Sequence, residues 1–326
     1  MMFKTAGKYH FAILMIIALA SFVCPACMSD SGDDDSEWDK SDGDSDSAEI
    51  AEEDGDNDYE NSEETDSELW AMKFAIAYYC TLPPPFPPTA EFQLILTGVA
   101  RLLVNQDGQD FNFQEDICDL SMDIIGDFGQ LKLDIIFPQK AIDAVPTLPR
   151  YATLTSQEPG AVFHADSILD LYGLDQSKMD DPMYEDIHDL EAIIENDIPL
   201  DQIDDERVVD FEGDGIPGVT ARLTGTVDGA VYVVFRMLRA LDGELIKDGL
   251  IEGTIESSVE MITIGADSPI FEYQLDLQPY TVEELNRFEF IRLEDQSMSC
   301  ENLYDHESEL FSYNPMDYVD SLEESE

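Results

Sequence analysis

Positive charge is what this sequence lacks most: 16 Lys and Arg stand against 73 Asp and Glu, a formal net charge of -57 over 326 residues. Binding to phosphate backbones or to bare anionic head groups rests on Lys and Arg replacing condensed cations, so nucleic acid is excluded as a partner. Histidine is scarce too. Its four copies, His10, His164, His188 and His306, stand apart in sequence, and Gly-x-Ser-x-Gly, His-Glu-x-x-His and phosphate-loop motifs are all absent. An enzyme built on a histidine base, a zinc-protease helix or a nucleotide loop is therefore not expected. Five cysteines include no Cys-x-x-Cys beyond residue 27, which removes thioredoxin-like redox chemistry from the body of the chain. The longest apolar run, Phe11 to Val23, is short for an ordinary membrane span.

That run reads instead as an export signal. Residues 1–27 carry Lys4 and Lys8, then the apolar stretch, then small residues and cysteines, with no acid before Asp30. Two processing sites compete: Ala18-Leu19-Ala20 fits cleavage before Ser21, and Cys27 after Ala26 fits the acylated cysteine of a bacterial lipoprotein, although Cys24 and Pro25 depart from a standard lipobox. Residues 28–68 form an acidic linker. Between Asp30 and Glu68, 20 of 39 residues are acidic and one is lysine, so the segment cannot bury enough apolar area to offset its ordering entropy. A polar, self-repelling tether directly after Cys27 favours lipid anchoring, with the membrane reached through the lipid. The acidity is not confined to the linker, because residues 69–326 hold 53 acids and 13 bases. Such a carboxylate surface suits a saline or divalent-rich exterior and a soluble monomer.

Residues 69–326 read as one mainly β domain, an antiparallel barrel or sandwich built as a meander of short strands with one or two short helices. Period-two alternation marks Phe92-Leu94-Leu96, Phe111-Phe113 and Leu131-Leu133-Ile135 in a first pass over 69–176. It marks Val219-Ala221-Leu223, Val231-Val233-Phe235 and Ile251-Gly253-Ile255 in a second pass over 208–300. Asp107-Gly108, Gly126 to Gly129, Asp228-Gly229 and Asp242-Gly243 punctuate these runs as turns, and Pro83 to Pro88 reads as a loop. The passes are joined by an insert, 177–207, whose composition predicts a helix from Met183 to Asn196. Within it Glu185-x-x-His188 has the spacing of a di-iron carboxylate motif, but no second copy exists, so a solvated face is the expectation. A short helix from Thr281 leads into a strand from Phe288 to Leu293.

Among Cys80, Cys118 and Cys300, two are expected to pair in an oxidising compartment. A Cys118–Cys300 bond would tie the first pass to the last, although spacing alone does not fix connectivity. The loop Asp210 to Gly218 places acids at Asp210, Glu212 and Asp214, followed by Gly215, as a calcium loop does. One structural Ca2+ on those three carboxylates is one reading and an acidic turn is the other. The twelfth position, Ala221, lacks the bidentate Glu of a helix-loop-helix site.

The segments Gly213-Asp214-Gly215-Ile216-Pro217-Gly218-Val219-Thr220, Val231 to Val234, Ile251 to Thr254 and Ile264 to Pro269, with a tail from Phe288 to Cys300, resemble uncharacterised acidic cell-envelope lipoproteins of myxobacteria and their relatives. The resemblance covers about a third of the chain. It implies a secreted or lipid-anchored β-domain and implies no activity. The expected role is binding or structural, with a small apolar ligand or an envelope protein as partner. The alternative is a carboxylate-dependent hydrolase such as a glycosidase, since two acids at the right separation are invisible in one dimension.

Overall fold

A computed structural model describes residues 67–81, 91–125, 133–179, 181–225 and 228–323. The expected export segment with Cys27, the expected acidic linker up to residue 66, the proline run and the expected turn at Gly126 to Gly129 lie outside the described residues. Among the described residues, no helix is long and apolar enough to cross a membrane.

Among the described residues, twelve strands form one antiparallel sheet. They are β1 (Glu68–Thr81), β2 (Glu91–Asp107), β3 (Asp110–Ile125), β4 (Leu133–Ile136), β5 (Leu148–Arg150), β6 (Thr153–Leu154), β7 (Val162–Tyr172), β8 (Val219–Gly225), β9 (Gly229–Lys247), β10 (Leu250–Ala266), β11 (Asp276–Pro279) and β12 (Arg287–Arg292). The order β1-β2-β3 continues to β9 by two routes, through β4 and β8 and through β6 and β7, and β9 returns through β10 and β12 to β1. The sheet thus closes on itself as a barrel, the arrangement that removes exposed edges.

Strand β1 shows how the core is built. Its even residues Trp70, Met72, Phe74, Ile76 and Tyr78 point into the barrel. Its odd residues are buried too: Leu69 and Ala71 lie under Leu303 and Phe311, while Ala75 and Ala77 lie under Leu285 and Val319. Most of these covers come from the C-terminal segment, with short helices at Cys300–Asp305, Glu307–Leu310 and Pro315–Glu323. Glu289, buried on β12, accepts the backbone N–H groups of Ser312 (3.0 Å) and Tyr313 (3.1 Å) and so fixes that segment to the wall. Inside, Phe111, Phe163 and Phe290 meet with centroids 5.4 to 6.4 Å apart, and Trp70 packs edge-on to Phe111 at 5.5 Å. Such spacing is the preferred range for aromatic pairs.

Two local expectations are corrected. Asp242-Gly243 is not a hairpin turn, because β9 runs through it to Lys247 and the reversal comes at Asp248 and Gly249, where φ is 74°. Gly243 instead faces Gly253 across the strand pair. A Cβ on Gly253 would lie 2.1 Å from the Asp242 carbonyl oxygen, and one on Gly243 2.9 Å from the Phe288 ring, so the pair of glycines makes room for Phe288.

The continuous helix expected from Met183 to Asn196 is broken into 3-10 turns at Pro182–Tyr184 and His188–Glu191 and one helical turn, Ala192–Glu195. Side chains divert the amides that would propagate it. Glu260 on β10 accepts from Ile187 N and Asp186 from His188 N, whereas Asp181 accepts from Met183 N only as the N-cap of the first turn. The insert buries Tyr184, Ile187, Leu190 and Ile193 against Val234, Ile262 and Ile264 on the outer wall.

Candidate functional site

Among the described residues, four charged side chains meet in the barrel interior: Glu115, Arg150, Asp170 and Arg239. Glu115 continues the inward row of Phe111 and Phe113 on β3, and Arg239 continues that of Val233, Phe235 and Met237 on β9. Asp170 reaches the interior because the β7–β9 register shifts between Ala165 and Ile168, which moves the inward phase from odd to even residues. Ser167, inside that bulge, has φ 34°.

Arg239 donates from Nε to Asp170 (2.8 Å) and from Nη2 to Glu115 (2.8 Å). Arg150, from β5, donates to Asp170 and lies 3.4 Å from Glu115. The Arg239 guanidinium also sits 5.3 Å over the Phe74 ring. Burial works against the Arg239 charge, but Asp170 and Glu115 outweigh it and hold the guanidinium above its usual range. Burial pushes the Tyr78 phenol up to about 12, against a hydrogen bond to Ser257. Glu115 Oε1, Arg150 Nε and Arg239 Nη1 are buried without hydrogen-bond partners among the described residues. Chemically the quartet is a formally neutral, internally paired unit, in which both carboxylates are already committed to guanidinium groups.

Asp210, Glu212 and Asp214 share an exposed loop and turn towards its own backbone. Asp210 accepts from Asp214 N (3.0 Å) and Gly215 N (2.8 Å), Asp214 from Ile216 N (2.9 Å), and Glu212 from Thr220 N (2.8 Å). Burial raises the Glu212 pKa, and nearby Asp214 adds to the shift. Glu212 and Asp214 come within side-chain hydrogen-bonding reach of each other, but Asp210 does not join them as a third converging ligand. Among the described residues, the group of three whose ligand atoms all lie within 4.8 Å of one another is Asp186, His188 and Glu260.

That group sits where the insert crosses β10. His188 Nδ1 is 2.9 Å from Asp186 Oδ1 and 3.8 Å from Glu260 Oε2. The Glu185 spacing plays no part; the partners are Asp186 and Glu260, the second of which only the fold could supply. Beside it opens a concavity of about 510 Å3 lined by Asp186, Asp189, Asp204, Asp205 and Glu206, with Arg207 as its cation. Arg207 is clamped between Asp205 (2.9 Å) and Asp189 (2.7 Å). Hydrogen bonding from Arg207 holds the Asp205 carboxyl below the usual range.

Cys118 and Cys300 form a disulfide that joins β3 to the first C-terminal helix, with Cα atoms 4.9 Å apart. Cys80 is a buried thiol whose pKa burial pushes up to about 12, which makes it a poor nucleophile. Compared with family models, curated proteins and solved structures, the chain matches none.

Proposed function

We propose that the chain is an exported domain, held to a bacterial envelope by lipid on Cys27 and carried on its acidic linker, with a structural or binding role on the outer face of its barrel. The observation that supports an outward role is the interior itself. A barrel that carries a small ligand keeps an enclosed apolar space with a few convergent polar groups. Here the inward positions are taken by Trp70, Phe74, Phe111, Phe163, Phe288 and Phe290, and the inward charges bind one another. The hydrolase alternative needs two carboxylates open to substrate and water, and the inward acids do not supply them, since Glu115 and Asp170 are buried and bonded to Arg239.

Anchoring is tested by expressing the full chain in a bacterium with labelled palmitate. The expected result is a labelled mature form, a precursor that accumulates under globomycin, and no label on Cys27→Ala. Unhindered maturation under globomycin, with the same product from Cys27→Ala, would replace this reading by release after Ala20.

A further inference from the structure

We propose that Asp186, His188 and Glu260 form a site for one borderline divalent transition-metal ion of the zinc class on the outer wall. The ligand set mixes one imidazole nitrogen with two carboxylates, which suits Zn2+ and its neighbours better than Ca2+ or Mg2+, the partners of all-oxygen sites.

Two carboxylate oxygens face the same nitrogen, at 2.9 and 3.8 Å from His188 Nδ1. One N–H can serve only one of them, whereas an ion about 2.0–2.2 Å from each ligand atom serves all three. His164 provides the contrast. Its Nδ1 meets Asp242 (2.6 Å) and its Nε2 meets Asp166 (2.7 Å), so the two acids lie on opposite sides of the ring and cannot share an ion with one nitrogen. That arrangement satisfies a doubly protonated imidazole by itself.

The ligands are also held from behind, as metal-binding carboxylates are. Glu260 Oε2 accepts from Ile187 N (3.1 Å), and its Oε1 lies 3.5 Å from Arg236 Nη1. Arg236 is itself tied down by donation from Nε to the Tyr184 carbonyl (2.7 Å). Asp186 Oδ1 accepts from His188 N (2.8 Å). The anchored wall residue thus comes from β10 and the other two from the insert, so an ion here would staple the insert to the barrel. Protein supplies three ligands, which leaves a fourth position for water or for a donor group on a partner.

The test is Zn2+ binding to the full chain, by calorimetry in roughly hundredfold excess Mg2+, which occupies the weak polyanionic sites of the acidic linker. One Zn2+ per chain is expected, with affinity falling by about tenfold or more in His188→Ala and in Glu260→Gln. The amide oxygen introduced by Glu260→Gln can still accept from Ile187 N, and the His188 side chain is 60% exposed, so both variants keep the fold. His164→Ala should bind as the parent does. Co2+ in place of Zn2+ should give visible absorption bands that His188→Ala abolishes. Zn2+ binding of unchanged affinity and stoichiometry in His188→Ala, or none that survives the Mg2+, overturns the proposal.

Discussion

Arg239→Met is expected to lower the stability of the domain by about 3–5 kcal/mol, because it leaves Glu115 and Asp170 buried with Arg150 as their one remaining cation. Arg239 is 1% exposed, so water cannot take its place without opening the barrel. At about 2–4 °C per kcal/mol for a domain of this size, the melting temperature should fall by about 6–20 °C, as read by circular dichroism. Desolvation gives a second, opposite expectation. Replacing all four members with apolar residues of similar volume should recover most of the loss, since an intact buried ion network is itself costly to form. A drop under about 1 kcal/mol in Arg239→Met would mean that the quartet is hydrated and that the interior is not closed.

Loss of the Cys118–Cys300 bond should have an effect of similar size through the unfolded chain. The two cysteines are 182 residues apart in sequence, and the loop-closure relation gives about 5 kcal/mol for a loop of that length, with about 2–4 kcal/mol typical of measured disulfides. The bond also pins the C-terminal segment whose Leu303 and Phe311 cover Leu69 and Ala71. Urea denaturation with and without a phosphine reductant should show the loss as a lower midpoint, and Cys300→Ser should show it without reductant and no further change with it. An unchanged midpoint after complete reduction would remove the disulfide from the account of stability.

The strands that face core on one side and water on the other were legible from alternation, among them Phe111-Phe113 in β3 and Val219-Ala221-Leu223 in β8. Strand β1 was hidden because both its faces are buried, so its apolar residues run together instead of alternating. The Met183 to Asn196 segment misled because its helix-breaking contacts include Glu260, far away in sequence and adjacent only after folding. Interior charges left a faint trace. Glu115 between Phe113 and Ile117, and Arg239 between Met237 and Leu241, each put a charge in the apolar phase of a strand, which is the pattern that could have found them. Asp170 carried no such trace, since the bulge at Ala165 to Ile168 reverses the phase that alternation would assign it. His188 was visible as a lone imidazole, whereas its pairing with Glu260 depends on where the insert lands on β10.

Whether the barrel interior is filled, with the protein's role on its outer face, can be read from Trp70. The chain has two tryptophans, and Trp38→Phe leaves Trp70, 3% exposed and packed on Phe111 in the interior, as the single fluorophore. The variant is titrated with long-chain fatty acids and with an apolar dye such as anilinonaphthalene sulfonate. A filled interior gives no saturable change in Trp70 emission; a saturable change at one ligand per chain would instead make the barrel a carrier.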